Sequence, residues 1–286
     1  MRKPVVVAVD GSEASLLATE WGACEAQRRN APLRIVAAPG LPPRLHAYEA
    51  SSVTVANALR GLAARGLAAA VERVSEVAPA VMVDTDLIDG PPALAVTESA
   101  SGAELLVVGA RGSGGFTALV LGSVSRHVAT YAPCPVVVVR EATAAVHREI
   151  VVGVRDPDDS YAALDFAFEE AALRRARLLV VHAVSLPIAV AGIPPAARTA
   201  VTEVASESAR RLTEMVGHWL EKYPDVEARS DVLRSHPAHV LASLSARADL
   251  VVVGRHGSPG KPGGSSIQHA VLGHAGGPVA IVPSAG

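Results

Sequence analysis

Aromatic side chains are scarce in this chain: three Phe, four Tyr and two Trp, or 3% of 286 residues. A core of ordinary size must therefore be assembled from Val, Leu, Ala and Ile. Half of the residues are hydrophobic, so the material for such a core is present. Cysteine is scarcer still. Cys24 and Cys134 stand far apart, outside any CxxC or Cys/His ligand spacing, which excludes a disulfide framework or a closed zinc site and suits two small apolar residues in a reducing compartment. Charge of one sign is also missing, since the formal net charge is −2. No basic stripe points to nucleic acid, and Lys and Arg do not cluster as on a membrane-surface helix. The apolar run of MRKPVVVAVDGS ends at Asp10 and is too short for a signal-peptide core or a membrane span. The expected location is the cytoplasm.

What is present is a repeat. VVVAVDGSEAS near residues 5–15 reads like VVGVRDPDDS near 151–160, LRIVAAPG like LLVVHAVS, and AELLVVGARG like ADLVVVGRHG. One offset relates all three: Val9 pairs with Val154, Trp21 with Phe166, Gly109 with Gly254. It then shortens by two, so that Ser123 pairs with Ser266 and Val136 with Val279. The chain is a duplication, read as domains 1–142 and 147–286 that meet in EATAAVHRE.

Within one copy, aliphatic strands alternate with helical periodicities. Strands are expected at 4–9, 33–38, 80–84, 104–108 and 136–139. Ser12 and Glu13 start the first helix, in which Leu17, Trp21 and Cys24 recur at helical spacing. Val55, Leu59, Leu62, Val71 and Val74 mark a long second helix, PPALAVTESA a short third, and 123–131 a fourth. Copy two repeats this, with Val201, Val204, Leu212, Met215 and Trp219 on its long helix. Such alternation predicts an α/β fold with a parallel doubly wound sheet, and right-handed crossovers leave strand orders such as 2-1-3-4-5 and 3-2-1-4-5.

Ligands in these sheets bind where the strand order reverses, beyond the carboxyl ends of the strands. In the 3-2-1-4-5 order this lies between strands one and four, which end at Asp10 and Gly109. After strand four comes GARGSGGFTALVLGS, whose Gly109, Gly112, Gly114 and Gly115 permit close backbone approach. Gly122 and Ser123 open a helix whose free N–H groups and positive dipole end favour a phosphate. Ser123 and Ser125 can add hydroxyl donors, Arg111 a guanidinium, and Asp10 can accept from a ribose. A plain glycine turn and a solvated surface arginine are the alternatives. Two other nucleotide signatures are missing: Gly260-Lys261 lacks the upstream glycine of a P-loop, and DGSEAS does not supply a dinucleotide fingerprint.

Gly109, Gly112, Gly122 and Ser123 fit G-x2-G-x9-G-[ST], and with VAVDGSEAS and LGSVSRHVATYAPCPVVVV the chain resembles the universal stress protein family over nearly its whole length. The resemblance implies two tandem flavodoxin-like (Rossmann-like) domains, each a five-stranded parallel sheet of order 3-2-1-4-5 covered by helices on both faces. It also implies ATP, with or without magnesium, as ligand. Asp10 would contact the ribose, the backbone near Val36 and Ala37 would line the adenine, and Gly109, Gly112, Gly122, Ser123, Val124 and Ser125 would hold ribose and phosphates. A homodimer is implied as well.

Copy two departs from that pattern. Arg155 stands at the place of Asp10, with Asp156 one position late. In GRHGSPGKPGGSSIQ, Gly254 and Gly257 remain, but serine replaces the helix-opening glycine, and Pro259 and Pro262 remove two N–H donors. Weak, altered or no ATP binding is expected there. Seven of the ten histidines lie in this half, yet His236 and His239 flank Pro237 and form no metal face. His256, within the altered loop, could meet a phosphate or simply be solvated. The functional expectation is a non-enzymatic, ATP-binding stress regulator. A slow ATP hydrolase and a nucleotide-independent scaffold are the alternatives.

Overall fold

A computed structural model describes residues 2–40, 50–112, 121–140, 146–155, 160–184, 195–255 and 266–284. These fall into two compact units, one on either side of residues 141–145, and each is an α/β domain.

The first unit runs β1 (Val5–Val9), α1 (Glu13–Arg29), β2 (Leu33–Ala37), α2 (Ala50–Val77), β3 (Val83–Leu87), α3 (Pro92–Ser99), β4 (Leu105–Gly109), α4 (Ser123–Tyr131) and β5 (Val136–Val139). Its strands are parallel in the order β3-β2-β1-β4-β5, with Val5 opposite Leu33 on one side and Leu105 on the other. The inner strands are aliphatic on both faces because helices cover both: α1 and α2 pack together on one, α3 and α4 on the other. Leu33, Ile35, Leu105 and Leu106 are completely buried, each contributing about 1.5–3 kcal/mol of apolar transfer.

Ser12 caps α1, its hydroxyl accepting from the Ser15 N–H at 3.3 Å, while Asn30 ends the helix in the left-handed conformation. The buried face of α1 differs from the Leu17, Trp21 and Cys24 stripe read from the sequence. Those three are half-buried, and Ala18, Gly22 and Ala26 face the sheet. Gly22 shows why: a Cβ there would overlap the Val7 side chain, with Val107 Cγ2 3.6 Å away. Close approach favours small residues over large ones. On α2, likewise, Ala56, Leu67, Ala70 and Val74 are buried, whereas Val55 and Leu62 point to solvent.

Strand β3 begins three residues later than its apolar run suggests. The Val81 N–H donates to the Ala78 carbonyl in a turn, and pairing with β2 starts only at Val83. As an edge strand, β3 is mostly exposed, and Asp86 pairs with Arg34 of β2.

The second unit repeats the first with β6 (Glu149–Val154), α5 (Tyr161–Arg174), β7 (Arg177–Ala183), α6 (Pro195–Lys222), β8 (Ala228–Leu233), α7 (Pro237–Ser245), β9 (Leu250–Arg255), α8 (Ser266–His274) and β10 (Val279–Pro283). Its order, β8-β7-β6-β9-β10, is the same topology. Here Trp219 of α6 is buried against Phe168 of α5, their rings 5.8 Å apart. Both units bury an ion pair in the same place. Arg29 Nε lies 2.7 Å from Glu25, Arg174 Nε lies 2.9 Å from Glu170, and both carboxylates are fully buried.

Candidate functional site

The strand order of the first unit reverses between β1 and β4, and a cavity of about 270 Å³ opens at their carboxyl ends. That approaches the lower end of small-ligand sites, roughly 300 Å³. Ala8, Val9, Ala38, Pro92, Val96 and Val108 form its apolar wall. Asp10, Ser15, Gly109, Arg111, Gly112, Gly122, Ser123, Val124 and Ser125 form the remainder.

The polar end is built around the start of α4. Gly122 is its N-cap, in extended conformation, and no side chain caps the helix. The first helical turn lines the cavity; among the described residues no side-chain cap hydrogen bond is made there, and no acidic residue of that turn offsets the helix dipole. The Gly122 N–H itself donates to the Ala110 carbonyl at 2.8 Å, which ties the two ends of the 111–121 connection together. Ser125 is buried, and its hydroxyl donates to the Gly109 carbonyl at 2.6 Å. That hydroxyl secures α4 to the end of β4. Arg111 stands exposed on the rim. An uncapped helix start beside an arginine suits an anion such as a phosphate.

Opposite lies Asp10. Gly11 follows it at φ +80°, a conformation that admits glycine readily. The chain then turns so that the Ser12 N–H and hydroxyl donate to Asp10 Oδ1 at 3.1 and 2.6 Å. The buried Ser15 hydroxyl donates to the Ser12 carbonyl at 2.8 Å and accepts from the Asp10 N–H at 3.4 Å.

The motif glycines divide by task. A Cβ on Gly112 would overlap Asp10 Oδ2, so this glycine makes room for the carboxylate. A Cβ on Gly109 would lie 2.7 Å from the Ala14 carbonyl oxygen, so this one lets α1 pack against the end of β4. Of the residues expected at the site, Asp10, Gly109, Arg111, Gly112, Gly122, Ser123, Val124 and Ser125 all line the cavity. Val36 and Ala37 lie behind it in β2, buried, and the Ala37 carbonyl accepts from the Ile88 N–H at 2.9 Å. Ala38 supplies that wall instead. Gly114 and Gly115 lie outside the described residues. Pro92, Val96 and Ser15 were not anticipated: Pro92 and Val96 arrive from α3, a segment whose sequence signals only a helix start.

The chain belongs to the universal stress protein family. The family's model matches residues 1–140 and again 147–283. A universal stress protein of Mycobacterium tuberculosis strain H37Rv is 35% identical over 278 residues, covering 94% of this chain and 92% of that protein. One from Mycolicibacterium smegmatis is 31% identical over 268 residues, covering 91% and 89%. The crystal structure of a universal stress protein from Archaeoglobus fulgidus superposes with a TM-score of 0.71 at 15% identity, covering 99% and 96%, which shows the shared tandem fold.

Within this universal stress protein, the corresponding place in the second unit is furnished differently. Arg155 replaces Asp10. Leu241, at the position of Val96, packs so tightly on Gly153 that a Cβ there would lie 2.7 Å from Leu241 Cδ1. Gln268, at the position of Ser125, is buried and reaches the Gly254 carbonyl at 2.7 Å. His182, matching Ala37, holds Nδ1 3.1 Å from the Val154 carbonyl. Longer side chains thus occupy positions where the first unit has small ones. Asp156, His256, Gly257, Pro259, Pro262 and Ser265 lie outside the described residues.

Among the described residues, no three His, Cys, Asp or Glu side chains gather as a metal site, and no helix is long and apolar enough to cross a membrane.

Proposed function

We propose that this universal stress protein binds ATP in its first domain and acts as a cytoplasmic, non-enzymatic regulator. The observation that carries the reading is the convergence, at the β1/β4 switch point, of an uncapped helix start with the Asp10 carboxylate across one cavity. The triphosphate belongs at the α4 end, where backbone N–H groups and Arg111 supply donors. The ribose belongs beside Asp10, and the base against the wall of Ala38, Pro92 and Val96.

The regulatory part rests on what the described wall offers for chemistry. Asp10 is its sole carboxylate, and one of its oxygens already accepts two hydrogen bonds from Ser12. Among the described lining residues no second carboxylate and no histidine joins it to activate a water. Binding would act through differential affinity for two conformations, shifting their populations. Any magnesium would come with the phosphates, since Asp10 alone would be a poor cage. The homodimer implied by the family resemblance belongs to the same proposal and is tested by light scattering with and without ATP.

Calorimetry with ATP, together with chromatography of nucleotide extracted from the purified protein, tests the central claim. Heat of binding and a recovered adenine nucleotide are expected. A silent titration with no nucleotide recovered would remove the reading. Steady hydrolysis well above roughly one turnover per second, ordinary for enzymes, would replace the regulator with an enzyme.

A further inference from the structure

No described residue of α2 lines the cavity, yet the middle of this helix backs one of its edges. Gly66 is buried, and a Cβ there would lie 3.1 Å from the Gly11 nitrogen, 3.2 Å from Gly11 Cα and 3.7 Å from the Asp10 carbonyl carbon. From the other side, a Cβ on Gly11 would lie 3.7 Å from Gly66 Cα. Backbone thus meets backbone, with glycine on both sides. Gly11 directly follows Asp10, which lines the cavity. A glycine in a helix interior weakens the helix relative to alanine, and at Gly66 the contact with the turn gives that weakness a reason.

The close approach belongs to this glycine and not to helix glycines at large. Gly61, on the same helix, has only Arg65 Nη1 at 3.9 Å from its added Cβ. In the second domain, α6 matches α2 residue for residue, Pro195 falling on Ala50 and Lys222 on Val77. Arg211 then stands at the place of Gly66, exposed and paired with Glu207 at 2.8 Å. A solvated charge occupies the helical position where the first domain has a buried glycine.

We propose that Gly66 is a positioning residue for the nucleotide: its contact with Gly11 sets where the Asp10–Gly11 turn lies, and so couples α2 to occupancy of the cavity. This rests on the ATP reading above and adds to it the element that senses the ligand. A methyl at 66 obliges the turn to give by a few tenths of an ångström, because what it meets is backbone and not the end of a flexible side chain. Asp10 shifts with the turn, and a small misplacement of a binding group weakens the complex. The coupling is reciprocal: if the seat of α2 alters affinity for the ligand, the ligand alters α2 to the same extent.

The test has two arms on the full chain. Calorimetry with ATP compares wild type, Gly66→Ala and Gly61→Ala, with melting temperatures recorded alongside. Gly66→Ala should bind ATP roughly three- to fivefold more weakly, and Gly61→Ala should bind as the wild type does. Both variants put alanine inside the same helix, so a general effect on the helix would move them together. The second arm is hydrogen exchange of the wild type with and without ATP. Exchange should slow in residues 63–70 of α2 and stay unchanged at the matching 208–215 of α6. This arm needs no variant and so decides the matter even if Gly66→Ala does not fold.

A folded Gly66→Ala variant with wild-type affinity overturns the proposal, as does equal weakening in both variants. So does an exchange pattern in which ATP binds but leaves residues 63–70 unaltered. Each of these results leaves ATP binding intact. Absence of ATP binding in the wild type brings down the ATP reading and this inference with it.

Discussion

Gln268 donates its side-chain amide to the Gly254 carbonyl at 2.7 Å, at the point where the first domain has the much shorter Ser125 hydroxyl on the Gly109 carbonyl at 2.6 Å. The same backbone acceptor is satisfied in both halves, but in the second the donor's longer stem takes up space. Among the described residues, Leu241 on Gly153 and Arg155 in the place of Asp10 also set the second domain apart from the first. The expected stoichiometry is one ATP per chain by calorimetry. Two equivalent sites, or binding that survives Asp10→Asn combined with Gly122→Leu, would contradict it.

Gly112→Ala and Gly109→Ala should separate affinity from stability. The first pushes a methyl into Asp10 Oδ2, the end of an exposed side chain that can swing aside. ATP affinity should fall about tenfold, with little change in melting temperature. The second drives a methyl against the Ala14 backbone, which has no such freedom, and should cost about 1–3 kcal/mol of stability in denaturant unfolding.

The outline of this site was legible in the sequence. The spacing of Gly109, Gly112, Gly122 and Ser123 placed the loop, and the aliphatic runs placed four of the five strands of the first half to within a residue or two. What the residues did not disclose is which glycine makes room for a carboxylate and which for a helix. That depends on Ala14 and Asp10, neighbours brought in by the fold. Pro92 and Val96 were missed for the same reason, since α3 reaches the cavity only through the crossover from β3. The inward face of α1, and part of that of α2, was misjudged because large apolar residues were assumed to point inward, although Val74 of the α2 stripe is buried. Close approach of helix to sheet instead places Gly22 and Ala70 there.

Ser125→Ala removes the hydroxyl that ties α4 to β4. A loss of about 1 kcal/mol in stability is expected, because a buried hydrogen bond goes while the helix ladder remains. Hydrogen exchange should report faster opening in residues 123–128 than in β1. Equal rates would mean that the contact does not anchor the helix.

Glu25→Ala leaves Arg29 without its fully buried partner. Only the 3.3 Å contact with the half-exposed Glu104 is then left among the ion pairs described for Arg29. About 3 kcal/mol of destabilisation is expected in urea unfolding. Replacing both Glu25 and Arg29 with Leu should recover much of the loss, because the penalty comes from a buried charge deprived of its buried counter-charge more than from the absence of a pair. A double variant as unstable as the single one would refute that account.

The ion pair at Glu25 and Arg29, matched at Glu170 and Arg174, also bears on ancestry. An isolated buried charge is costly, so an acid and a base at matching positions are hard to acquire twice in separate lineages. Its recurrence at matching positions is what duplication of one ancestral segment would leave behind. The exchange of Ser125 for Gln268 distinguishes the two halves at that same level: the fold kept the backbone acceptor in both and let the donor change.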